Sequence, residues 1–600
     1  MIEYVRLAFG TAVVLLPGSL VARALGRRSV SATLAWSLAA VFVAWAVVFA
    51  VHSNIRLALI VLALVAGGAL IAGRPARERS STRSGPALAA GAVLGVLLWH
   101  VAGAVVGDGL FHEGRIRKLV DFGDLHLRTV DEFKDGGLHP GYAFPLWHAF
   151  CALVSYVSGV DPAGVLRHEP SLLAPVAVAV AWEAGRAVFG SRAGGAAVAA
   201  AQLGIFCFAA GHGGSYATLA QPGTAARQLF VPAAIALFFA RDLPATAAVF
   251  GALAFVHPTY AAFLLVPLLA VALTEWRGLV AAAVPLGAVL LWLRPLLNET
   301  NTHDPNASTR ANELVQYRGQ LVVHGLHDFR LAASVPGRSG AVAVAALVLV
   351  PVCALALRER WARFAAGGSV LVLALMEVPW LFVHLSDAVS LSQSRRAAGF
   401  VPFAFALAGG LALLVRRAAL LPAALAAGIL CQRLWPGDFG YGLRHGGPGL
   451  ATWIALVGGA AALVLAAALR RGLEPRLGLG AAAAALYVLP VAVHAAWHWS
   501  PAQPTDPQAL SPRLVHSLRT KVPKGAIVIA PIQTSYEVEA VAPVYVVAAP
   551  LTHVANTKAN HSVERFRAVR HWTATNDPSV PKRYGATWAI RGGRLYRLPG

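Results

Sequence analysis

Apolar stretches long enough to cross a lipid bilayer recur along most of the sequence, and they decide what the chain can fold into. Residues 34–51, 57–72, 87–106, 341–357 and 450–469 each approach the roughly 20 mostly apolar residues of a spanning helix. Lipid offers the backbone no hydrogen-bond partner, so these stretches must be helical. Composition agrees, with 57% hydrophobic and 13% charged residues among 600, about half the charged fraction of a soluble protein. The apolar first segment, 4–20, reads as a retained span, because no small-residue cleavage site follows it.

The formal net charge of +22 suggests nucleic acid in a soluble chain. Here the arginines cluster at the ends of apolar stretches instead: Arg27-Arg28, Arg74/Arg77/Arg79/Arg83, Arg358/Arg360/Arg363, Arg416-Arg417 and Arg470-Arg471. That is the positive-inside pattern, so these clusters mark cytoplasmic ends and nucleic acid drops out as a partner. The four cysteines all sit in apolar stretches without paired spacing, which supports neither a disulfide framework nor a metal cluster.

Counting from these clusters gives about 14–16 spans over residues 1–499, at the usual helix length. Four polar segments, 107–143, 298–340, 385–396 and 435–449, fall on one side, which the charge rule makes extracytoplasmic. Between 144 and 275 the polar breaks at 158–170, 211–227, 241–244, 257–258 and 275–278 do not alternate cleanly with the arginines. Trp497-His498-Trp499 reads as an aromatic belt, after which Pro501, Pro504 and Pro507 stiffen a linker. Residues 500–600 then read as a small α/β domain on the extracytoplasmic side. Strands are expected at 526–530 and 544–548, helices at 535–540 and 562–572, and a hairpin about the Arg-Gly-Gly-Arg turn. The fold class is therefore a polytopic α-helical membrane protein, in a plasma or inner membrane, with a small C-terminal α/β domain.

Seven of the chain's 28 acids lie between 107 and 142. Asp108 directly follows a long apolar stretch at the expected membrane boundary. A helix over 110–120 puts Asp108, His112 and Arg115 on one face, with Leu110, Phe111, Leu119 and Phe122 resting in the lipid interface. Asp108 either caps this helix or is an acid held at the bilayer surface for function. Glu113 is either a second reactive carboxylate or the partner of Arg117. Arg395 and Arg396 lie on the side where positive charge is disfavoured, so they either bind headgroups or hold a phosphate. His257 is a structural histidine or a site residue at a helix break, and His212 a turn residue or a contact to substrate hydroxyls. His303-Asp304 has no third metal ligand at a recognisable spacing.

The run from Gly107 through Asp108, His112, Glu113 and Arg115 to Leu119 resembles the first external loop of the GT-C superfamily of membrane glycosyltransferases. So does the continuation from His139 and Tyr142 through Pro145 and His148 to Asp161, and the segment 522–536 resembles C-terminal domains of some bacterial members. The resemblance implies a GT-C-like fold and inverting transfer of a sugar from a polyprenyl-phosphate donor to an envelope glycan, lipid or protein acceptor. It implies Asp108 as general base with Glu113 beside it, Arg395 and Arg396 on the donor phosphate, and His112, Arg115, His139, Tyr142, His212 and His257 around the substrates. Several families of the superfamily carry a tandem acidic pair at the position of Asp108; this chain does not, which leaves a Mg²⁺ or Mn²⁺ requirement open. The alternative is a transporter or flippase of a lipid-linked precursor. Transporters usually carry internal repeats and mid-membrane charges, and no repeat is evident here.

Overall fold

In a computed structural model, describing residues 2–73, 84–300, 305–440, 442–469 and 472–599, the helix breaks fall mainly where proline, glycine or a polar cap interrupts the apolar pattern. The arginines between 74 and 83, Arg470-Arg471 and His303-Asp304 lie outside the described residues. Helices Ile2–Ala24, Val30–Ala50, Ile55–Ala72, Pro162–Phe189, Pro258–Asn298, Leu391–Leu414, Gly449–Leu469 and Leu477–His498 are long and apolar enough to cross a membrane. Two further pairs, bent by 108° and 83°, bring the number to ten among the described residues, with shorter apolar helices such as Gly85–Val101 and Leu146–Ser158 packed between them. The chain is a polytopic helical protein. The 14–16 spans expected from the sequence require the shorter helices to be counted as well.

Two expected breaks are smaller than the sequence suggests. The interruption at 158–170 contracts to Gly159–Asp161, because the Asp161 side chain accepts from the Ala163 amide and Pro162 occupies the first helical position. The break at 275–278 is a kink at Glu275. This buried carboxylate accepts from Arg241 and from Arg360, so it can stay within a helix.

The polar segments gather at one end of the bundle. Arg310 pairs with Asp387 at 2.5 Å, Arg395 donates to Gln320, and the Asp438 amide donates to the Arg338 carbonyl. The segment after 298 is not one open loop: it folds as the helix Ala307–Gln316 and a two-stranded hairpin, Leu321–Gly325 with Asp328–Leu331.

The C-terminal residues form an α/β unit on this same end. Its sheet runs in the order Tyr545–Val546, Ile527–Ile529, Trp588–Arg591, Arg594–Arg597; the first three strands are parallel and the last closes an antiparallel hairpin. Gly592 and Gly593 both take positive φ at that turn, a conformation that glycine adopts without steric cost.

The helix Asp108–Asp121 is not laid in a lipid interface, contrary to expectation. Leu119 is fully buried and Leu110 joins the apolar core of the C-terminal unit. The helix Ile532–Val541 packs along it, Lys118 meets Glu539 at 2.8 Å, and Arg117 donates to the Ala540 carbonyl. Its apolar face is covered by protein instead of lipid.

Candidate functional site

The seven acids of 107–142 separate by what they touch. Asp131 and Glu132 both accept from Arg115 at 2.7 Å. Asp135 takes Arg565, Asp121 faces Lys524, and Glu113 pairs with Arg117, which also holds Asp161. Asp124 points to solvent. These contacts fasten the segment and the C-terminal unit together. Asp108 differs from them in meeting histidines: His112 Nε2 lies 3.7 Å from one carboxylate oxygen and His553 Nε2 3.6 Å from the other.

Asp108 does not cap its helix. Gly107 occupies the cap with φ +55°, and Asp108 is the first helical residue. Its side chain is 59% exposed although protein crowds it on most sides, so it lies open to solvent between its own helix and the C-terminal unit. That crowding acts to raise the carboxyl pKa, but the contact with His112 and the charges of His112, His553 and Arg396 outweigh it. The carboxyl is held well below the usual carboxylate range and stays ionised.

Around Asp108 the cleft is aromatic and basic. Tyr142 stands edge-on to His112 and His148, with ring centres 5.4 and 5.2 Å apart, and tilts over His139 at 4.9 Å. His112 Nδ1 lies 2.9 Å from His148 Nε2, which fixes the His112 ring. Burial, then the Arg115 charge, pushes the His139 imidazole down to about 4, so it is neutral; burial and Asp108 push the Tyr142 phenol up, so it keeps its proton.

The wall bearing Arg396 is built at the helix break around His257. His257 has an extended backbone, its ring stacks on Tyr260 at 3.6 Å, and its Nδ1 lies 2.9 Å from the Thr259 hydroxyl. Arg227 donates to the Tyr260 hydroxyl at 3.0 Å, and Arg396 also hydrogen-bonds Tyr260. Two guanidinium groups thus converge on one phenol, and one of them acts electrostatically on Asp108.

Of the residues expected to act together, Asp108, His112, His139, Tyr142, His257 and Arg396 share this neighbourhood. The others are placed differently. Glu113 is buried in its ion pair with Arg117, and burial pushes its carboxyl up to about 7. Arg115 is fully enclosed, held by Asp131 and Glu132 and lying 4.6 Å from the centre of the Phe111 ring. Arg395 turns away into the hairpin region, 4.2 Å over the Tyr317 ring. His212 stands 2.5 Å from the Ser500 carbonyl, holding the start of the linker.

Sequence reasoning passed over Arg227 and His553. A lone arginine within the apolar run 222–239 was a usable signal. His553 carried none, since its place depends on how the C-terminal unit docks. Its ring lies between Tyr536, at 5.2 Å, and Phe111, at 6.3 Å. No group of three or more metal-ligating side chains suited to an ion occurs among the described residues. No family model matches this chain, and comparison with curated proteins gives no match.

Proposed function

We propose that the chain is a GT-C-like glycosyltransferase moving a sugar from a polyprenyl-phosphate donor to an envelope acceptor on the outer face of a bacterial membrane. The observation that carries this reading is a solvent-exposed Asp108 within electrostatic reach of Arg396, between the early helix and the C-terminal unit. The acceptor hydroxyl oxygen attacks the anomeric carbon from the face opposite the phosphate. The new C–O bond forms as the bond to the phosphate oxygen breaks, inverting the centre; the hydroxyl proton passes to Asp108, and the electron pair leaves on the polyprenyl phosphate.

A phosphate needs no acid to leave when fixed positive charge meets it, and Arg396 with Arg227 supplies that charge. The low basicity of Asp108 suits late proton transfer, after bond formation has made the hydroxyl acidic. His553, whose imidazole burial holds below its ordinary pKa, stands 3.6 Å from Asp108 on the side toward the C-terminal unit and is placed to take the proton on from it. Tyr142 and His139, both uncharged, are suited to hydrogen-bond sugar hydroxyls. Glu113 has no part in this scheme.

A transporter of the same lipid precursor draws on one observation, the fully buried Glu169 inside a spanning helix, where it accepts from Thr11 at 2.7 Å. The test is incubation of the purified protein with labelled polyprenyl-phosphate sugars and envelope acceptors. Transfer of label by the wild type, lost in Asp108→Asn, supports the transferase. An Asp108→Asn protein that turns over normally removes it. Movement of intact precursor across vesicles without transfer selects the transporter.

A further inference from the structure

Beside the cleft, on the outside of the bundle, the spacing of four residues opens a groove. Phe42, Ala46, Phe49 and Ala50 follow one another at i, i+4, i+7 and i+8 in the helix Val30–Ala50 and so lie on one face. The two alanines are too small to fill the space between the rings. Phe255 stacks on Phe42 at 4.8 Å and Trp292 lies 5.9 Å beyond it, so the rings close the deep end of the groove, and about 730 Å³ is left open along the alanines toward the helix end, a volume typical of small-molecule sites. Trp292 is 42% exposed on a spanning helix of which little is covered by protein, so the groove faces the bilayer.

Polarity switches where the helix ends. His52, His126 and Arg128 line the mouth; the His52 and His126 rings are 5.8 Å apart, and His52 and Arg128 are exposed. The distance from Phe42 to this mouth is about 15 Å at helical rise, close to the hydrocarbon depth of one leaflet. Among the described residues no acid lines the groove, so no carboxylate at its mouth pairs with the ammonium of a zwitterionic headgroup. The cationic mouth above an apolar trough matches a phosphodiester that carries net negative charge.

We propose that this groove binds one bilayer phospholipid with a net anionic headgroup, its phosphate among Arg128, His52 and His126 and an acyl chain along the Phe42–Ala50 face. The site stands apart from the transfer chemistry proposed above, since Arg396 and Arg227 line a different wall. It is tested by native mass spectrometry of the full chain released from nanodiscs holding equal phosphatidylglycerol and phosphatidylcholine, with a small fraction of polyprenyl phosphate. The wild type is expected to retain phosphatidylglycerol at least fivefold over phosphatidylcholine. Arg128→Gln, a change at an exposed side chain, should lower that retention about fivefold, the scale of one basic residue's attraction for an anionic surface. Ala46→Trp, which fills the trough, should abolish it. Equal retention of the two phospholipids, unchanged retention in Arg128→Gln, or polyprenyl phosphate in place of phosphatidylglycerol would overturn the assignment.

Discussion

His553 of the C-terminal unit places its Nε2 3.6 Å from Asp108, the first residue of the helix Asp108–Asp121. The unit beyond residue 500 is thereby part of the cleft wall and not a tethered appendage. The same docking buries Arg117, Lys118 and Glu539.

Replacing Asp108 with Asn keeps shape and removes the carboxylate proposed as the base. Turnover should fall 10²–10⁴-fold, the usual worth of a general base, with little change in melting temperature. Both quantities are measured on one preparation by label transfer and by thermal unfolding.

Because its neighbours hold the Asp108 carboxyl below the ordinary range, this group imposes no acid limb on turnover between pH 5 and 7. Arg396→Ala removes one of the charges responsible, so the Asp108 pKa rises and an acid limb moves toward neutral pH. For stability the sign is that of a depressed carboxyl: the contribution is present above its unfolded value and lost as pH falls through the folded one. A pH–rate profile identical in wild type and Arg396→Ala would refute the electrostatic link.

Arg395 and Arg396 should separate in a mutant pair. Arg396→Ala is expected to lower turnover at least tenfold. Arg395→Ala, which loses Gln320 and the face of Tyr317, should act mainly on stability. Steady-state kinetics beside thermal unfolding distinguishes the two.

Glu113 gives the opposite pH dependence to Asp108. Burial raises its carboxyl from 4.5 to about 7, so the folded state holds this proton more tightly than the unfolded chain. Stability from this group is full below 4.5 and declines as pH rises to about 7. The decline, on the order of 3 kcal/mol by linkage, should be missing in Glu113→Gln, and the difference between the two melting curves against pH measures it.

Lys118→Met strands the Glu539 carboxylate against the docking helix. Removing one partner of a buried pair costs about 3–5 kcal/mol, so the C-terminal unit should loosen. Faster proteolysis in the proline linker at 501–507 reports this directly.

Much of this arrangement was legible in the sequence. Period and length announce the spanning helices, and the apolar runs at 526–530 and 544–548 announce two short strands, whose parallel pairing only the structure gives. An acid next to an apolar stretch marks Asp108, and the His257-Pro258 pair marks the break that forms the opposite wall. What stayed hidden is set by tertiary docking. The apolar face of Leu110 and Leu119 reads equally well as lipid-facing or protein-facing, because burial in either medium needs the same residues. The sequence shows seven acids together without showing their partners, and five of the six besides Asp108 are taken by basic side chains, two of them from the C-terminal unit. Arg395 and Arg396 are indistinguishable as neighbours in sequence; the short helical turn Arg395–Phe400 sends them to different walls.

The contact between Asp108 and His553 also sets an order of assembly. A nascent chain that already holds Asp108 still lacks one side of this contact until residues beyond 500 have folded against the early helix. The pair of histidines about Asp108 is therefore completed only when these two distant segments meet, and a chain cut before residue 500 presents Asp108 with half of its histidine clamp missing.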